Sequence, residues 1–118
     1  MGYDRFIDWE DNSKRPTIEE LDKALVRYIH QSGTVERKGD WLYAILPGEP
    51  RFVFKDWADE AEFAQGGNKG GERCFEVFCS PDSTYSVITR LADEFTSSLA
   101  DGFAALVARY WEGTWYRE

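Results

Sequence analysis

His30, Cys74, Cys79 and Lys69 are the residues of this chain best suited to chemistry, and their spacing decides how far each can be taken. His30 is the only histidine, so a two-histidine metal site within one chain is impossible. A Cys–His dyad with Cys74 or Cys79 is the nucleophilic arrangement these residue types leave open, because a histidine titrates near neutrality and can take a thiol proton. The competing reading is a histidine at a helix C-terminus, beside carbonyls that favour positive charge. Cys74 and Cys79 stand five apart in one predicted strand. Side chains alternate along a strand, so the two face opposite ways, and a disulfide between them would require the strand to be abandoned. They read as buried thiols in a reducing compartment. Cys-x4-Cys without a second pair is not a zinc pattern.

Lys69 lies within Gly66-Gly67-Asn68-Lys69-Gly70-Gly71. A phosphate-binding loop needs Gly-Lys-Ser/Thr leading from a strand into a helix, so that backbone N–H groups converge on the phosphates. Here two glycines and a predicted strand follow the lysine, and a surface loop is the better description. Asp56, Asp59, Glu60 and Glu62 offer oxygen ligands of the kind calcium and magnesium take. Their spacing is not that of an EF-hand, and a solvated helix face explains them equally. No Gly-x-Ser-x-Gly, Gly-x-Gly-x-x-Gly or His-Glu-x-x-His occurs. No catalytic, cofactor or metal residue is therefore assigned, and the expectation leans away from an enzyme.

The elements that would position these residues can be read from periodicity and punctuation. Tyr3–Trp9 reads as a strand with Tyr3, Ile7 and Trp9 on one face and Phe6 on the other. Thr17 and Glu20 form the Ser/Thr-x-x-Glu capping box of a helix over 17–32, whose stripe is Ile18, Leu21, Leu25, Tyr28 and Ile29, with Gly33 as its left-handed C-terminal cap. Thr34–Arg37 and Trp41–Leu46 flank a tight turn at Lys38-Gly39-Asp40. Pro47–Pro50 makes a second turn before a strand at Arg51–Lys55, a short helix at Trp57–Gln65 and the glycine loop. Strands follow at Arg73–Ser80 and Tyr85–Thr89. A second helix over 91–111 carries the stripe Leu91, Phe95, Leu99, Phe103, Leu106 and Tyr110, with Asp93, Glu94, Ser97 and Asp101 toward solvent. Gly113 resembles another cap, and Thr114–Arg117 an edge strand. The expected fold is one α+β domain spanning 1–118, with a mainly antiparallel sheet of five to six strands and both helices on one face. The ferredoxin-like split β-α-β is a special case of that pattern.

Composition narrows the function. The 118 residues carry 14 basic and 22 acidic side chains, a net charge of −8. That sign, with no basic stripe on any predicted element, argues against nucleic-acid binding, which depends on clustered Lys and Arg. No apolar stretch approaches the ~20 residues of a membrane span, and the first residues lack the apolar core of a secretory signal. A cytoplasmic protein fits these features, and the charge suits a basic partner.

The aromatic content is the remaining signal: five Trp, six Tyr and eight Phe. Trp41, Tyr43 and Ile45 share one face of their strand while Leu42, Ala44 and Leu46 share the other, and Phe75, Val77 and Cys79 alternate with Cys74 and Phe78. Strands apolar on both faces imply a sheet covered on both sides, yet two helices on one face leave the other to be covered by further chain or by another molecule. Trp and Tyr are enriched at interface centres. Trp41, Tyr43, Trp111, Trp115 and Tyr116 are accordingly the expected interface of a non-enzymatic interaction module, a homodimer or a protein-docking domain of the immunity-inhibitor or mobile-element accessory kind. The alternative is a small-molecule pocket, or a minor enzyme, between the sheet and residues 56–72, with Arg51, Glu76 and Arg90 as its polar groups.

Overall fold

The computed structural model describes residues 3–30, 33–46, 74–81, 84–90 and 92–118. Six strands, β1 (Tyr3–Asp8), β2 (Thr34–Lys38), β3 (Trp41–Ile45), β4 (Cys74–Phe78), β5 (Tyr85–Thr89) and β6 (Thr114–Arg117), form one sheet in the order β2-β3-β4-β5-β1-β6. Every neighbouring pair is antiparallel. Among the described residues two helices, α1 (Ile18–Ile29) and α2 (Glu94–Tyr110), accompany the sheet in an α+β architecture. The alternating directions make β1 and β2 parallel with three strands between them, and β5 and β6 parallel with β1 between them. Each helix is thus the crossover of a split β-α-β unit. The expected strand at Arg51–Lys55, helix at Trp57–Gln65 and loop at Gly66–Gly71 lie outside the described residues.

Both helices pack on the same face. Leu21, Leu25 and Ile29 of α1 and Ala100, Phe103, Ala104, Val107 and Ala108 of α2 enter one core with Ile7, Leu42, Ala44, Phe75, Val77, Tyr85 and Val87 of the sheet. The capping box forms: the Glu20 N–H donates to Thr17 Oγ1 at 3.2 Å and the Thr17 N–H to Glu20 Oε1 at 3.1 Å. Gly39 turns the β2–β3 hairpin at φ +61°, a conformation open to a residue without Cβ.

Several expectations change. The stripe of α2 is displaced: Phe95, Leu106 and Tyr110 are 56%, 39% and 75% exposed, whereas Thr96 and the three alanines are buried. Four-residue steps overshoot a helical turn by about 40° each, so a stripe of fours drifts off the packed side. The helix is held in rotation by Ser97 and Asp101, expected in solvent, which instead bind a buried arginine of β1. It also begins at Glu94, because the Asp93 carboxylate accepts the Thr96 N–H at 2.8 Å and caps it there.

Gly33 does not close α1. The helix ends at Ile29, and His30 takes φ 47°. Gly33 is instead a point of close approach, where a Cβ would lie 2.2 Å from the Ile45 carbonyl oxygen. At the end of α2 the left-handed residue is Glu112, φ 59°, with the Gly113 N–H donating to the Ala108 carbonyl at 2.7 Å. That is the six-to-one bond of a Schellman motif. Gly113 is needed for space, since its Cβ would meet Trp9 Nε1 at 2.8 Å.

Candidate functional site

The face of the sheet that carries no described helix is organised in rows across the strands. Because residues directly opposite one another in a ladder point the same way, the register defines a line: Lys38, Trp41, Phe78, Ser86, Phe6 and Tyr116. It crosses all six strands, about 24 Å at the ~4.8 Å strand spacing. Trp41 stacks on Phe78 with ring centroids 4.6 Å apart, and Phe6 tilts against Tyr116 at 5.4 Å. Ser86 is the small residue between these two aromatic pairs. None of Trp41, Phe78, Ser86 and Phe6 is fully buried, and Tyr116 is 48% exposed.

A second row lies beside the first: Glu36, Tyr43, Glu76, Ile88 and Asp4. Its centre is withdrawn from water, with Tyr43 and Glu76 each 1% exposed. Arg90 Nε donates to Glu76 Oε2 at 2.8 Å, supplying the counter-charge that a buried carboxylate requires. Burial and, after it, the Glu76 carboxylate hold the Tyr43 phenol far above its ordinary pKa. The Tyr43 ring lies nearly parallel to Trp41 at 6.3 Å. On the other flank, Asp8 accepts from Thr84 Oγ1 at 2.6 Å.

The five expected interface residues fall in separate places. Trp41 and Tyr43 stack together at one end of this face, and Tyr116 stands at the other end of the same row. Trp115, one residue out of phase, packs against the helix-side core. Trp111 follows α2, where its carbonyl accepts from Trp9 Nε1 at 3.0 Å and its ring meets Tyr110 edge-on at 4.8 Å. Of the expected pocket groups, Glu76 and Arg90 are brought together, while Arg51 and the 56–72 wall lie outside the described residues.

The nucleophiles do not assemble. Cys74 and Cys79 are both buried and reduced, on opposite faces of the sheet. Burial pushes the Cys79 thiol up to about 12, which leaves it protonated and unreactive at neutral pH. His30 is exposed at the end of α1. No cluster of three or more His, Cys, Asp or Glu suited to a metal ion occurs among the described residues, and no helix there is long and apolar enough to cross a membrane.

One charged cluster was not anticipated. Arg5, fully buried on the helix side, ion-pairs with Asp101 and donates to Thr89 Oγ1 at 3.1 Å and to Ser97 Oγ at 2.8 Å. Arg117 holds the second oxygen of Asp101 at 2.9 Å. The signal lay in parity: Arg5 shares the inward face of β1 with Ile7 and Trp9, and Ser97 and Asp101 sit one helical turn apart. No family model matches the chain, and comparison with curated proteins and with solved structures found no match.

Proposed function

We propose that this chain is a non-enzymatic docking module that binds a protein through the face of its sheet that carries no described helix. The observation that carries the reading is the row Trp41–Phe78–Ser86–Phe6–Tyr116, two aromatic pairs separated by a serine and left partly open to solvent. Paired aromatic rings around a small residue suit an apolar side chain from a partner inserted over Ser86. Asp4, Asp8 and Glu36 flank the row, and the chain as a whole carries −8. The partner this face suits presents an apolar centre ringed by basic groups, whereas a phosphate backbone meets repulsion. An acidic inhibitor of a basic protein is the form of the reading that the charge favours. A second copy of the chain, the simplest symmetric partner, would set these acidic flanks against one another and is the alternative that a measurement of self-association decides.

Sedimentation velocity of the wild type and of Trp41→Ala and Phe6→Ala tests self-association, and affinity capture with the same three proteins tests a different partner. The expected result is that both variants remain folded and lose the dimer or the captured protein. A basic partner associates more slowly as salt rises, because screening weakens the steering field. Capture or dimerisation unchanged in both variants would refute the docking face.

A further inference from the structure

On the opposite side of the molecule the two helices meet at Tyr28. Its hydroxyl donates to the Leu99 carbonyl at 2.8 Å and its ring tilts against Phe103 at 5.4 Å. Gly102 permits the approach, since a Cβ there would lie 2.3 Å from the Tyr28 hydroxyl. Away from that contact the helices leave a groove of about 450 Å³ lined by Tyr28, Leu106, Tyr110 and Trp111. Leu106 and Tyr110 are the side chains of the displaced α2 stripe, large apolar groups that the core does not use.

Charge along this groove reverses the sign of the chain. Lys23 and Arg27, one turn apart on α1, line it, and neither has an ion-pair partner among the described residues. Glu20, the one acid in the lining, is held by the capping box through its hydrogen bonds to Thr17. Two unneutralised cations beside an apolar channel form a binding arrangement for an apolar body with an anionic end. The volume falls within the ~300–1,000 Å³ typical of small-ligand sites.

We propose that the groove between α1 and α2 binds a small amphiphilic anion. Its aromatic or alkyl body lies against Leu106, Tyr110 and Trp111, and its carboxylate or sulfonate meets Lys23 and Arg27. The site is separate from the sheet face and does not depend on the docking reading.

The test is a fluorescence titration with anilinonaphthalene sulfonate at neutral pH, with dodecanoate and its neutral counterpart dodecanol as competitors. The expected result is saturable binding at one site, displaced by dodecanoate and about tenfold less effectively by dodecanol. Leu106→Glu places a carboxylate in the groove and abolishes binding. The double variant Lys23→Gln/Arg27→Gln raises Kd about tenfold, and Trp41→Ala changes nothing. All the substituted groove positions are exposed, and a thermal melt matching the wild type verifies that each variant is folded. Binding retained by Leu106→Glu, equal displacement by the two competitors, or loss on Trp41→Ala would each overturn the proposal.

Discussion

Replacing Arg5 by methionine removes one charge from beneath α2 while keeping the volume of its aliphatic stem. In the folded chain the guanidinium is fully buried and joins Asp101, Ser97 and Thr89, tying β1, β5 and α2 at one point. Removing one member of a buried ion pair usually costs about 3–5 kcal/mol, because the other charge is stranded. Asp101 is not fully stranded: it is 29% exposed and keeps Arg117 at 2.9 Å. Thr89, 1% exposed, loses the hydrogen bond that Arg5 donates to its hydroxyl. The loss therefore falls at or just below the lower end, about 2–3 kcal/mol. With an unfolding entropy of roughly 2.1 cal/mol/K per residue, a chain of this length has a total near 0.25 kcal/mol/K, so Tm should fall by about 10 °C. Urea unfolding followed by tryptophan fluorescence measures the free energy, and calorimetry measures Tm. Combining Arg5→Met with Asp101→Asn in a double-mutant cycle should give a coupling of about 1–2 kcal/mol. A loss under ~0.5 kcal/mol for Arg5→Met would mean that an apolar replacement serves as well as the cluster, as in other buried ionic groups.

The displaced face of α2 gives a paired test: Phe103→Ala should cost about 3–5 kcal/mol and Leu106→Ala under ~1 kcal/mol, and equal losses in chemical denaturation would return Leu106 to the core. His30→Gly, at φ 47°, should stabilise the chain by about 1 kcal/mol by relieving a conformation that favours glycine, seen as a raised urea midpoint; an unchanged or lower midpoint counts against strain there. Gly33→Ala should destabilise severely or prevent folding, because the new methyl overlaps the Ile45 carbonyl; a normal melting curve would show that β3 gives way easily. Stability should also fall in alkali. An ordinary thiol loses its proton near 9, whereas folded Cys79 holds its own to about 12. The stabilisation is thus fully present below pH 9 and is lost as pH rises toward 12, at no more than about 1.4 kcal/mol per pH unit for one group. The raised phenols of Tyr28, Tyr43 and Tyr85 act in the same direction. A urea midpoint flat from pH 8 to pH 11 would contradict this.

The sheet faces and the first helix were legible because local chemistry and the fold agree there. Thr17 and Glu20 cap α1 as their spacing implies, and the two-residue alternation of Trp41–Leu46 sorts these side chains onto the two faces. What escaped was set at long range. The rotation of α2 is governed by an arginine 92 residues upstream of Ser97 in sequence, a partner that helical periodicity cannot see. The aromatic row could not be read either, since it exists only once five ladder registers are known. Proximity in sequence groups Trp111 and Trp115 with Tyr116, but Trp111 and Trp115 pack against the helix-side core while strand alternation turns Tyr116 to the other face. The α1–α2 groove was hidden by the same error that placed Leu106 and Tyr110 in the core.

Strand β1 lies between β5 and β6, so the earliest segment described finds its ladder neighbours at 85–89 and 114–117. On a ribosome, its backbone must therefore remain unpaired until β5 has emerged, about three quarters of the way along these 118 residues, and its other side must wait for β6. Once β5 has bound one side of β1, the other side stays an open edge until β6 arrives. Contacts closed over so long a stretch of chain slow folding and prolong the exposure of that edge. Removing the last four or five residues would leave one side of β1 bare in the mature molecule, turning a passing hazard of synthesis into a permanent site for aggregation.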